Sequence, residues 1–241
     1  MALPKLETPT YSMKVPSTGE EIKYRPFLVK EEKILLLAME ENKQELTNQA
    51  VLDLVNTCTF GKVGSNNDPM FDIEYAFIKI RQKSISETVE VNLLCPDDKK
   101  TYVSTEINLD DVQVTLDDEH TPICSLGKDA SGNDVSIELS YPTAAATLLA
   151  NKASGSNIEQ IFAIVKSCIK VIHFGNDAYN IVDISKDELD EFVDSLTQEQ
   201  FASLNEFFDS MPKLTHDVEI TNPKTGVTST VHLEGLADFL N

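Results

Sequence analysis

Tryptophan is missing altogether from these 241 residues, and glycine is scarce at nine. Too few glycines are present for phosphate-cradling loops to be common, and neither Gly-x-Gly-x-x-Gly nor a Walker-type Gly-Lys-Ser/Thr occurs. A nucleotide enzyme is therefore not indicated. Basic residues are also short: 20 Lys and Arg stand against 40 Asp and Glu, a formal charge of −20. Such a surface repels phosphate backbones and anionic lipid, which argues against direct binding of nucleic acid or membrane. No apolar run approaches the roughly 20 residues needed to span a bilayer. The N-terminus, Met1 to Pro9, lacks the basic and apolar regions of a secretory leader, so the chain is expected in the cytoplasm.

Only four cysteines occur, Cys58, Cys95, Cys124 and Cys168, without the short paired spacing of a zinc or redox site. They are expected to be reduced and structural, with Cys58 and Cys168 on apolar helical stripes. The histidines, His120, His173, His216 and His232, are dispersed, with no His-Glu-x-x-His and no Gly-x-Ser-x-Gly elbow. A triad such as Cys95 with His216 and an aspartate remains a spatial question. The acids Asp110, Asp111, Asp117, Asp118 and Glu119 fit no calcium loop, and Asp129 to Asp134 reads more simply as a hairpin turn. Cys95-Pro96 resembles half of a zinc knuckle, but Asp97 and Asp98 stand where a second thiolate would be needed. No metal, no cofactor and no catalytic residue is assigned.

What the chain does hold is an ordinary apolar share of 41% arranged in alternating blocks. Tyr11 to Val15 and Glu21 to Arg25 flank Pro16-Ser-Thr-Gly19 as a hairpin. The continuous apolar run Ile34 to Met39 predicts a short buried helix, and Leu46, Ala50, Val51, Leu54, Val55 and Cys58 predict a second, capped by Asn42. Asp68-Pro69 opens a third with Met70, Ile73, Phe77 and Ile80 inward. From Thr88 the period changes to strands: Val89 to Leu94 with Tyr102 to Ile107, then Val112 to Leu116, then Ile123 to Leu126 with Val135 to Tyr141. Thr143 to Ser156 is poorly patterned. A helix follows with Ile161, Ile164, Val165, Cys168, Ile169 and Ile172 on one face. Ser185 with Glu188 and Thr197 with Gln200 are capping boxes for two further helices, with Phe201, Leu204, Phe208 and Met211 as the second stripe. Asp217 to Thr221 and Thr228 to Leu233 form a last hairpin around Asn222-Pro-Lys-Thr-Gly226, and Leu236 to Leu240 a docked turn.

The fold class expected is α+β: an N-terminal hairpin with helices (1–86), central antiparallel hairpins (87–142), and C-terminal helices with a terminal hairpin (143–241), either as separate regions or as one continuous unit. The two hairpins that turn at Cys95-Pro96 and Asn222-Pro223 echo each other, Val89-Glu-Val91 against Val218-Glu-Ile220, which shared turn chemistry or duplication would explain.

Several blocks carry a resemblance: Lys23 through Leu36; Phe71-Asp-Ile-Glu-Tyr75 with Arg81 and Ser86 to Val91; and Met211 to His216 with Asn222 to Gly226 and Leu233-Glu-Gly-Leu236. In order and spacing they resemble the baseplate hub subunit family of T-even-type contractile-tailed bacteriophages, cyanophage relatives included. The resemblance implies a non-enzymatic structural or assembly component of the tail baseplate hub. Its partners would be other hub proteins, met in the host cytoplasm during assembly, with a place in the virion baseplate. A transient hub chaperone and an acidic mimic of nucleic acid are the alternatives. Some relatives carry paired cysteines in a hairpin turn; Asn222-Pro-Lys-Thr225 departs from that, and no metal is carried over. Partner contact is expected on Ser185 to Asn241, with Phe207, Asn222, Pro223, Leu233 and Leu236 as candidate contact residues.

Overall fold

The computed structural model describes residues 7–41, 43–129, 131–152 and 157–239. They form α-helices and small antiparallel sheets, an α+β fold, in two units: 1–115 with 213–241, and 116–212. The cuts at 86/87 and 142/143 do not coincide with these units. Strand pairing across nearly a hundred residues joins the terminal hairpin to the first unit, and no local composition shift reports such a pairing.

In unit 1, β1 (Tyr11–Lys14) and β2 (Glu21–Tyr24) pair with Met13 opposite Ile22, both buried. Their turn is seated by Asp72, which accepts the Ser17 backbone N–H at 2.9 Å and the Ser17 hydroxyl. Burial pushes the Asp72 carboxyl up, and the two Ser17 donors pull against that shift. Beyond β2, Arg25 meets Glu31 through two parallel bonds of 2.8 and 2.9 Å, while Glu31 also accepts the Leu28 N–H that opens α1 (Val29–Glu40). Arg25 Nη1 reaches the Pro26 carbonyl at 2.9 Å as well, and its backbone N–H donates to Cys58 O at the end of α2 (Gln44–Cys58). One nearly buried ion pair thus ties hairpin, α1 and α2 together. The cap expected at Asn42 lies outside the described residues.

The buried-helix expectation for Ile34 to Met39 is corrected. Only Leu35 and Glu31 are buried on α1, whereas Ile34, Leu36 and Leu37 are 58%, 53% and 52% exposed. A continuous apolar run necessarily wraps a helix all round, and only one flank of α1 meets a neighbour. On α2, Ala50, Val51, Leu54, Val55 and Cys58 are buried as their spacing implies, while Leu46 stays exposed. Gly64 lets the following loop pass so close that a Cβ there would sit 2.5 Å from the Asn56 backbone nitrogen. Asp68 organises this loop by accepting the Gly64 and Ser65 N–H groups, and Pro69 takes the cap position of α3 (Met70–Ser84).

The α3 stripe Phe71, Ile73, Phe77 and Ile80 is buried in the core of unit 1. Around it lie β3 (Thr88–Leu94) paired with β4 (Tyr102–Asn108), and a sheet in which β10 (Lys213–Thr221) stands between β5 (Gln113–Thr115) and β11 (Thr228–Glu234). The chain then makes a 3-10 turn, Leu236–Phe239, whose Phe239 has no exposed surface.

Unit 2 is built on a four-stranded antiparallel sheet, β6 (Ile123–Lys128), β7 (Asp134–Leu139), β8 (Ile169–Phe174) and β9 (Asp177–Asn180), in that order. Asp129 closes the β6–β7 turn by accepting the Ser131 and Asn133 N–H groups. Helices α4 (Ala144–Lys152) and α5 (Asn157–Cys168) precede β8; α6 (Lys186–Asp194) and α7 (Gln198–Ser210) follow β9. The poorly patterned stretch 143–156 therefore contains a helix, and the helical face expected through Ile172 stops at Cys168. Ile169 and Ile172 belong to β8, paired with Leu139 and Ile137. Both capping boxes are present: Ser185 with Glu188, and Thr197 with Gln200. Val165, Cys168, Val193, Leu204 and Phe207 pack on Ile137 and Leu139 in one core. No helix among the described residues is long and apolar enough to cross a membrane.

Glu74 generates a pH prediction. Its carboxyl lies on α3 beside the Leu236 backbone N–H, and burial, with Glu234 adding like charge, raises its pKa from 4.5 to about 7. A carboxyl raised in the folded state contributes stability that is whole below its unfolded value of about 4.5 and is lost as pH climbs through about 7. Glu74→Gln keeps an oxygen for the Leu236 N–H and removes the charge. We expect it to melt with wild type at pH 4 and above wild type at pH 8, by on the order of 1–3 kcal/mol, measured by urea denaturation at both pH values. Equal stability at pH 8 would refute the assignment.

Candidate partner-binding site

Two hairpin turns of unit 1 meet. The β3–β4 turn starts at Cys95, whose N–H donates to Thr101 O at 2.8 Å and whose carbonyl accepts the Lys99 N–H at 3.0 Å. Asp98 accepts the backbone N–H groups of Lys100 and Thr101, each at 3.0 Å, and the Thr101 hydroxyl at 2.6 Å, which holds its carboxyl far below the usual carboxylate range. Asp97 points to the other hairpin. It accepts Asn222 Nδ2 at 2.9 and 3.1 Å and the Thr225 hydroxyl at 2.6 Å, and these donors lower its pKa too. The β10–β11 turn is braced in return: Asn222 Oδ1 accepts the Lys224 N–H at 2.9 Å, and Asn222 N–H and O bond Val227 O and Gly226 N–H. A carboxylate and an amide, with a hydroxyl beside them, clasp the two turns.

Of positions 95, 98, 222 and 225, Cys95 alone offers a thiol, and burial with the neighbouring carboxylates Asp97 and Asp98 pushes that thiol up. Among the described residues no group of three or more His, Cys, Asp or Glu side chains is gathered as a metal site, and no hydrogen bond joins Cys95 to His216. All four cysteines are buried free thiols; burial raises Cys58 and Cys168 to about 11, far from a reactive thiolate at neutral pH.

The five candidate contact residues are placed as follows. Asn222, Leu233 and Leu236 are buried in unit 1, at 1%, 3% and 8% exposure; Pro223 is exposed at the tip of the β10–β11 turn. Phe207 is buried in unit 2 between His120, at 4.9 Å between ring centroids, and the edge-on ring of Phe208. The expected stripe through Phe208 is shifted by one residue, about 100°: Leu204 and Phe207 are buried, while Phe201 and Phe208 pack half-buried against the same core. Sequence spacing allowed either row, and the packing of Tyr141 and His120 on Phe207 selects one. The segment Ser185 to Asn241 is likewise divided, its helices in unit 2 and its hairpin in unit 1.

The surface that spacing did not indicate is on α1. Val29 is 81% exposed, and with Ile34, Leu36 and Leu37 it leaves four large apolar side chains at the surface of a charged helix, with Lys30 and Lys33 between them. The signal was present as the apolar excess of Ile34 to Met39 over what one buried flank can use.

Residues 8–241 match the family described as T4 bacteriophage base plate protein. The match takes in nearly the whole chain, and the protein belongs to that family. No curated protein and no solved structure matches it.

Asn222→Ala tests the clasp. It removes a buried amide that makes three side-chain hydrogen bonds, and we expect a loss of about 2 kcal/mol in urea denaturation with the helical circular dichroism retained. A change below about 0.5 kcal/mol would show that the turns hold without it.

Proposed function

We propose that this baseplate protein is a non-enzymatic, protein-binding component of the baseplate hub, gathered with other hub proteins in the host cytoplasm during assembly. The observation that carries this reading is the exposure of Val29, Ile34, Leu36 and Leu37 on α1. Four large apolar side chains held at the surface of one short helix, with Lys30 and Lys33 between them, mark a protein contact. Support comes also from the fate of the polar chemistry: Glu31, Asp72, Asp97 and Asp98 are spent on holding turns and helix ends. The hub assignment itself rests on the sequence blocks, of which Lys23 through Leu36 includes most of α1. Within this reading Pro223 supplies contact surface directly, Asn222 holds the turn that carries it, and the buried Leu233 and Leu236 in unit 1 and Phe207 in unit 2 support the fold.

Deleting 213–241 would take Leu214, Leu233 and Phe239 out of the unit 1 core, so substitution is the appropriate probe. We expect Leu37→Glu to leave the melting transition within about 0.5 kcal/mol of wild type and to abolish co-purification with the other hub proteins. Mass spectrometry of purified virions and of hub intermediates separates the roles: presence in both identifies a retained hub part, presence only in intermediates a departing assembly factor. Absence from both would overturn the reading.

A further inference from the structure

Unit 2 carries an open cleft of about 390 Å³ between α5 and the α6–α7 pair. Its floor is apolar. Phe162 and Phe201 stack with ring centroids 4.8 Å apart, and Val193 and Leu196 complete the base. Ile158 and Ile161, on the same flank of α5 as Phe162 by their spacing, are 65% and 50% exposed.

Asp194 is the charged residue among those lining the cleft, and further carboxylates follow along its helical rows. On α7 the lining residues Gln198, Ala202 and Asn205 share a row that continues to Asp209. On α6 the lining residue Asp194 ends a row that runs back through Glu191 and Asp187, and all four of these carboxylates are exposed. Residues 185–210 hold eight carboxylates and one lysine, a steeper imbalance than the 40 to 20 of the whole chain. The negative charge of this stretch is therefore a local feature and not just a sample of the average surface.

We propose that this cleft receives an amphipathic helix of a partner baseplate protein, its apolar stripe flanked by Lys or Arg. The inference rests on the protein-binding reading above and assigns it a second surface. Two or three side chains at i, i+3 and i+4 spacing are what a slot of this size and lining takes from a docked helix. Charge decides among occupants. A second copy of this chain would bring −20 against −20, and nucleic acid or anionic lipid would meet the same repulsion. A basic helix places cations opposite the α6 carboxylates and Asp209 while its stripe covers Phe162 and Phe201.

The test uses the full chain with a photo-reactive benzoylphenylalanine at Ala202 or Asn205, produced in cells assembling the phage that encodes it. The cross-linked peptide is read by mass spectrometry. The expected result is a segment of a baseplate protein with a helical apolar period and an excess of Lys and Arg. The synthetic version of that segment should bind the purified chain, with association slowing at least tenfold from about 0.05 to 0.5 M NaCl. Ala202→Glu and Asp194→Lys, at exposed helical positions, should each weaken that binding roughly tenfold or more with circular dichroism unchanged. A cross-link to a second copy, to an acidic segment or to nothing, in chain that still sediments with hub intermediates, overturns the cleft assignment and leaves the proposed function standing. Failure to sediment with hub intermediates overturns both.

Discussion

Unit 1 depends on β10 returning to β5. Lys213 lies opposite Thr115, 98 residues away in sequence, and Leu214 and Val112 enter the core at this junction. An unstructured loop of that length would oppose the pairing with its closure entropy. Here the intervening residues fold as a unit with their own sheet and core, so the ends are delivered by structure. Once β10 is placed, β11 pairs along it, the Asn222 turn reaches Asp97, and Phe239 finds its buried site.

Carboxylates do much of the remaining positioning. Glu31 holds Arg25 and the start of α1, Asp72 seats the first hairpin on α3, Asp68 arranges the loop before α3, and Asp97 joins two turns. Each is met by fixed donors, which is the condition under which a buried or half-buried acid is tolerated. At Asp72 and, more strongly, at Glu74 desolvation outweighs the donors, and both carboxyls are raised. A strongly acidic composition thus has two sources: acids working as structural acceptors, and acids left on the surface, among them those of α6 and α7.

Those surface acids and the exposed apolar side chains answer to different physical terms. Apolar area sets how much a contact can gain, and charge sets which partners approach and how fast. On α1 the apolar face is broken by Lys30 and Lys33, so its rim has no single sign. The cleft of unit 2 has Asp194 at its edge, with Asp187, Glu191 and Asp209 exposed along the same helical rows, beside an apolar floor. Two contact surfaces of different character are what a protein gathered among several neighbours in a baseplate would use.

Local chemistry alone determined the hairpins at Pro16 to Gly19, Cys95 to Lys100 and Asn222 to Gly226, the two capping boxes, the α+β class and the kinship with phage baseplate proteins, because each is written within a few consecutive residues or in whole blocks. Tertiary structure decided what depends on a distant partner. Ile169 and Ile172 fit a helical stripe as well as a strand, and the open edge of β7 made them strand. Ile34, Leu36 and Leu37 read as core, and the lack of a packing neighbour on that flank left them at the surface. Phe208 read as the inward ring, and Tyr141 stacked and His120 tilted against Phe207 buried its neighbour instead. Asn222 read as a contact residue, and a carboxylate 125 positions away buried it in the clasp. Sequence periodicity states which faces can be buried; only the partner elements, brought in from far along the chain, state which ones are.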